Sequence, residues 1–104
     1  MASRKEFADY LAGQFGTEAS VRPMMGEYLL YYRGKLIGGI YDDRLLVKDV
    51  PEAAALLEPV RRELPYEGAK PMLVVELDPE DKDALTMLAE ALYAALPETR
   101  PKKR

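Results

Sequence analysis

At 104 residues the chain has room for one domain, and 48% hydrophobic with 32% charged residues is the composition of an ordinary globular protein. Zero cysteines exclude a disulfide framework, and with zero histidines they exclude Ser-His-Asp and Cys-His catalysis and an ordinary zinc site. The formal charge of −3 is uneven, because RPKKR at the end of the chain carries four cations and leaves residues 1–97 at about −6, a body that repels nucleic-acid phosphates.

No apolar run approaches the roughly 20 residues of a membrane span. The start, MASRKEFADYLAGQF, lacks the unbroken apolar stretch of a secretory signal. The expected location is the cytoplasm.

In chain order, Ser3 and Glu6 stand at capping-box spacing, so a helix is predicted to begin there. Phe7, Tyr10, Leu11 and Phe15 form its apolar stripe, and Gly13 or Gly16 ends it. Residues 19–24 read as a short strand that Pro23 confines to a sheet edge or to the strand's last position. Three antiparallel strands follow over 27–32, 35–41 and 44–48, joined by turns at Arg33-Gly34 and Asp42-Asp43.

A regular register places Tyr31 opposite Leu36, Leu29 opposite Gly38, Ile40 opposite Leu45 and Gly38 opposite Val47. The expected core face is then Leu29, Tyr31, Leu36, Ile40, Leu45 and Val47. Tyr28, Leu30, Tyr32, Ile37, Tyr41 and Leu46 fall on the other face, together with Lys35, Arg44 and Lys48.

Beyond the hairpins, Asp49 and Glu52 bracket Pro51 and open a short helix that Pro59 bends or ends. A loop runs through PYEGAK, and PMLVVEL reads as a strand with Leu73, Val75 and Leu77 toward the core. Asp78-Pro79 is read as the start of a last helix whose stripe is Leu85, Leu88, Ala89, Leu92, Ala95 and Leu96, with Pro97 ending it. The predicted class is α+β, a two-layer sandwich with an antiparallel sheet of four to five strands and helices packed on one face. Residues 1–97 make the domain, and residues 98–104 are expected to be a basic, disordered tail.

Three acidic or glycine-rich features invite functional readings, and each has a better structural one. Asp78, Glu80, Asp81 and Asp83 lack the glycine and the glutamate of a calcium loop, and suit a helix start, where carboxylates complement the helix dipole. Asp42-Asp43 suits a hairpin turn better than a catalytic carboxylate pair. Gly38-Gly39 has no phosphate-loop context and is expected to permit close packing within the sheet.

The stretch RPMMGEYLLYYRGKLIGGIYDDRLLVK, residues 22–48, resembles the signature region of the TfoX (Sxy) N-terminal domain family. The matching residues are Arg22, Met24-Met25-Gly26, the aromatic pair Tyr31-Tyr32, Gly34-Lys35 and Asp42-Asp43-Arg44-Leu45, and the likeness continues through KPMLVVELDPED to cover about residues 3–96. Met25 stands where that family usually has Phe, and Glu27 where it often has Gly. The chain resembles a stand-alone form of that domain. The resemblance implies a two-layer fold, no enzymatic reaction, no cofactor or metal, and action through protein contacts in transcriptional or competence regulation.

The expected interaction surface is Tyr28, Tyr32, Ile37, Tyr41 and Leu46, with a second copy (a homodimer) or another regulatory protein as the partner. One alternative is nucleic-acid binding through Arg100, Lys102, Lys103 and Arg104 in the tail. Another is a small-molecule site near Arg22, Met24 and Gly26.

Overall fold

The structure, a computed structural model, describes residues 3–97. The expected basic tail, including Arg100, Lys102, Lys103 and Arg104, lies outside the described residues. Three helices and six strands follow one another as α1 (Lys5–Phe15), β1 (Ala19–Met24), β2 (Glu27–Tyr32), β3 (Lys35–Tyr41), β4 (Arg44–Val47), α2 (Pro51–Leu56), β5 (Arg62–Glu63), β6 (Met72–Val74) and α3 (Lys82–Ala95). The strands form one antiparallel sheet in the order β1-β2-β3-β4-β6-β5.

The chain is thus α+β, as its pattern predicts, with six strands where four to five were expected. The additional strand is β5, which lies just beyond the proline that ends α2 and pairs with β6 through Arg62 opposite Leu73. Pro23 sits in β1, an edge strand, where its missing N–H removes no ladder bond. Both hairpin turns are tight two-residue turns in the left-handed region, with φ of 52° and 80° at Arg33 and Gly34 and of 54° and 57° at Asp42 and Asp43.

A bulge decides which side chains enter the core. The β2–β3 register shifts between Leu30 and Tyr31, so Leu30 pairs with Gly38 and Leu29 with Gly39, while Tyr31 keeps Leu36 and Tyr32 keeps Lys35. Ile37 is therefore the extra residue of β3. An extra residue breaks the two-residue alternation, and both Ile37 and Ile40 turn inward although their spacing is odd.

The inner face carries Leu30, Tyr32, Ile37, Ile40, Leu45, Val47 and Leu73, with Tyr28 packed against them. Against it lie Ala8, Leu11 and Phe15 of α1, Ala53 and Leu57 at α2, and Leu85, Leu88, Ala89 and Leu92 of α3. Each fully buried leucine contributes about 1.5 to 3 kcal/mol relative to exposure.

The expected core face is corrected on both hairpin arms. Leu29, Tyr31 and Leu36 are only half-buried and point away from the helices, whereas Leu30, Tyr32 and Ile37 are core.

The helix starts also differ from the spacing-based expectation. The N-cap of α1 is Arg4, with no side-chain cap, because the Ser3 hydroxyl is engaged elsewhere in the fold. Asp49 leaves α2 uncapped and bonds Arg62 through both oxygens, at 2.6 and 3.3 Å. Helix α3 starts one short turn later than Asp78, with Asp81 as N-cap accepting from the Ala84 N–H at 3.1 Å. Asp78 instead accepts from the Glu80 N–H at 2.9 Å and closes the preceding turn.

Candidate functional site

Gly26, Tyr32, Lys35, Asp42, Asp43 and Arg44 lie at three structural junctions. At the first, the turn after β1 presents Gly26 at φ 90°, and its carbonyl accepts from the Ser3 N–H at 2.9 Å. The buried Ser3 hydroxyl donates to the Glu27 carboxylate at 2.7 Å and accepts from the Asp43 N–H at 2.9 Å. The same Glu27 oxygen accepts from the Asp42 N–H at 2.9 Å.

Asp43 in turn accepts from the Arg4 backbone N–H at 2.9 Å and from its guanidinium at 3.1 Å. These bonds, the backbone one first, hold the Asp43 carboxyl below its ordinary value. Asp42 and Asp43 therefore fasten two sheet turns to the start of α1 rather than forming an acid pair.

The second junction joins the β2–β3 turn to the end of α3. The Lys35 ammonium donates to the carbonyls of Tyr93 and Leu96 at 2.6 and 2.9 Å, satisfying acceptors that a helix C-terminus leaves open. Arg33 lies over the Tyr32 and Tyr93 rings at 5.5 and 5.4 Å and pairs with Glu18 and Glu90. The Tyr32 hydroxyl donates to Glu90 at 2.7 Å; this bond first and burial second raise its pKa.

At the third junction Arg44 pairs with Glu63, which Arg61 also holds at 2.7 Å. The Arg44 bond leads the causes that keep the Glu63 carboxyl below its ordinary value. This bracing ties β4 to the β5 edge of the sheet.

The surface expected from strand parity does not form as one patch. Tyr32 and Ile37 are 4% and 0% exposed on the inner face, where Tyr28 also packs. Tyr41 and Leu46 do lie on the outer face, but are covered there at 5% and 0% exposure. A Cβ on Gly39 would lie 2.7 Å from the Tyr41 ring, so the missing side chain lets that ring lie flat on the strand. Tyr66, from the segment between β5 and β6, packs on Tyr41 with ring centroids 6.1 Å apart.

What remains open on the outer face are Leu29, Tyr31 and Leu36 of β2 and β3. Arg22 of β1 sits opposite Leu29, its guanidinium 5.7 Å from the centroid of Tyr31. Arg22 has no carboxylate partner among the described residues.

Beside this face a groove of about 400 Å³ runs between β3, residues 48–50 and the segment 65–72. Leu36, Met72 and Leu96 line it, Tyr66 forms a wall, and Lys48 and Lys70 stand in its lining. Arg22, Met24 and Gly26, the expected surroundings of a small-molecule site, do not line it. Sequence reasoning took PYEGAK only as a loop; its one signal was an aromatic residue within a turn-rich run. Among the described residues no group of three or more His, Cys, Asp or Glu is placed to hold a metal ion. Nor is any helix among them long and apolar enough to cross a membrane.

The chain is 32% identical over 105 residues to the "Uncharacterized 12.7 kDa protein in trpE 5'region" of Spirochaeta aurantia, an alignment that covers 99% of this chain and 91% of that protein. No family model matches the chain. No solved structure matches it either.

Proposed function

We propose, for a chain that belongs to the same family as the Spirochaeta aurantia 12.7 kDa protein, a role as a non-enzymatic interaction module whose outer sheet face receives a second copy of itself. One observation carries this reading. The helices lie on the inner side of the sheet, α1 and α3 against it and α2 against α3, while Leu29, Tyr31 and Leu36 remain half-buried on the outer face beside an Arg22 with no carboxylate partner among the described residues.

Tyrosine and arginine are the residues that anchor protein contacts, because each buries a broad flat surface while keeping a polar end satisfied. A second copy brings the same apolar patch, so a symmetric contact buries Leu29, Tyr31 and Leu36 on both copies at once. Contact through the face is favoured over strand addition at the β1 edge, since Pro23 removes a donor there. The resemblance of residues 22–48 to the TfoX N-terminal domain supports action through protein contacts, in the cytoplasm, in transcriptional or competence regulation.

Size exclusion with light scattering tests this reading. The expected mass is twice the 11.7 kDa of one chain, falling to a single chain in Tyr31→Glu, with circular dichroism unchanged. A wild-type monomer at micromolar concentration overturns it.

A further inference from the structure

We propose that the groove between β3, residues 48–50 and segment 65–72 is a binding site for a small organic anion, an apolar body carrying one acidic group. Its volume of about 400 Å³ lies within the roughly 300 to 1,000 Å³ typical of small-molecule sites. Leu36, Met72 and Leu96 give it an apolar lining, and Tyr41 and Tyr66 add aromatic surface. Gly38 of β3 is among the lining residues, and Gly39 lets the Tyr41 ring lie close to the strand.

The charge of the ligand follows from which cations are spent. Arg4, Lys5, Arg33, Arg44, Arg61 and Arg62 all hold carboxylates, and Lys35 is committed to the end of α3. Among the described residues Arg22, Lys48, Lys70 and Lys82 have no such partner, and of these Lys48 and Lys70 line the groove. The one carboxylate in the lining, Asp49, is already neutralised by Arg62 through both of its oxygens.

A body of about −6 repels anions over most of its surface, so two uncommitted ammonium groups beside an apolar cleft form a local exception. Beside that lining an ion pair is screened less than in open water, and a charge-assisted hydrogen bond is correspondingly stronger. Anion and apolar body are thus recognised by different walls of the same groove.

The test uses two fluorescent probes of nearly one shape: anilinonaphthalene sulfonate, which has the anionic group, and phenylnaphthylamine, which lacks it. The full chain is expected to bind the sulfonate saturably, one per chain. In Lys48→Ala/Lys70→Ala that affinity is expected to fall about tenfold, the size of one lost charge-assisted hydrogen bond, with affinity for the neutral probe unchanged. Absence of saturable sulfonate binding overturns the proposal, as does a double variant that binds the sulfonate like wild type. Equal loss of both probes also overturns it, because the lysines would then shape the groove without reading charge.

Discussion

The Lys35 ammonium lies 4.2 Å from the centroid of the Tyr93 ring while donating to the Tyr93 carbonyl at 2.6 Å, so one side chain grips the end of α3 both by its ring and by its backbone. Helix carbonyls at a C-terminus need donors, and a cation there also complements the helix dipole. Lys35→Met keeps the aliphatic stem and removes the charge. It is expected to destabilise the chain by about 1 to 2 kcal/mol in urea unfolding, while Lys35→Arg recovers part of that loss.

The contact of Asp43 with Arg4 makes stability depend on acid. A carboxyl whose pKa is lower folded than unfolded stabilises the fold above its unfolded pKa, and that contribution disappears as pH falls through the folded value. The ordinary value is 3.8 and the folded one lies below it. Thermal melts of wild type and Asp43→Asn should therefore differ at pH 7, with wild type higher, and the gap should close as pH drops below about 4. A gap that stays constant with pH would mean that the charge on Asp43 is irrelevant to its contact with Arg4.

Gly38 is required for close approach of two strands. A Cβ there would lie 2.3 Å from the Leu46 carbonyl oxygen and 2.8 Å from the Val47 Cα, both backbone atoms that a rotamer change cannot move. Gly38→Ala is expected to cost about 1 to 3 kcal/mol by urea denaturation, a sign opposite to the usual gain from replacing glycine in a strand.

Leu88 and Leu92 are both fully buried against the inner sheet face. Truncating either to Ala should cost about 2 to 5 kcal/mol, read from the shift of the urea midpoint at constant slope.

Much of this architecture is legible in the chain because turns and helix stripes are local signals. Gly34 and the Asp42-Asp43 pair mark both hairpins, and the spacing of Leu85, Leu88 and Leu92 marks the inner face of α3. The bulge at Ile37 is not legible, since alternation alone cannot show where a strand gains a residue without pairing it. One such slip exchanges the faces of everything on its far side: Ile40, Leu45 and Val47 lie inward as expected, while Leu29, Tyr31 and Leu36 exchange places with Leu30, Tyr32 and Ile37.

Caps failed for a related reason. Ser3 and Asp49 have the right spacing to serve their own helices, but tertiary partners Glu27 and Arg62 compete for the same side-chain atoms. The groove depends on segment 65–72 folding back over Tyr41, a long-range contact with no periodic trace in the sequence.

The division of the sheet into a buried inner face and an open outer one is tested most directly by comparing the thermal melts of Ile37→Glu and Tyr31→Glu by circular dichroism. Ile37 is fully buried beneath the helices and Tyr31 is half-buried on the opposite face. A carboxylate buried without a partner costs several kcal/mol, a large fraction of the stability of a small domain. Ile37→Glu is expected to lose its cooperative transition, while Tyr31→Glu melts cooperatively as a folded chain. A folded, cooperative Ile37→Glu beside an unfolded Tyr31→Glu would contradict that division of the faces.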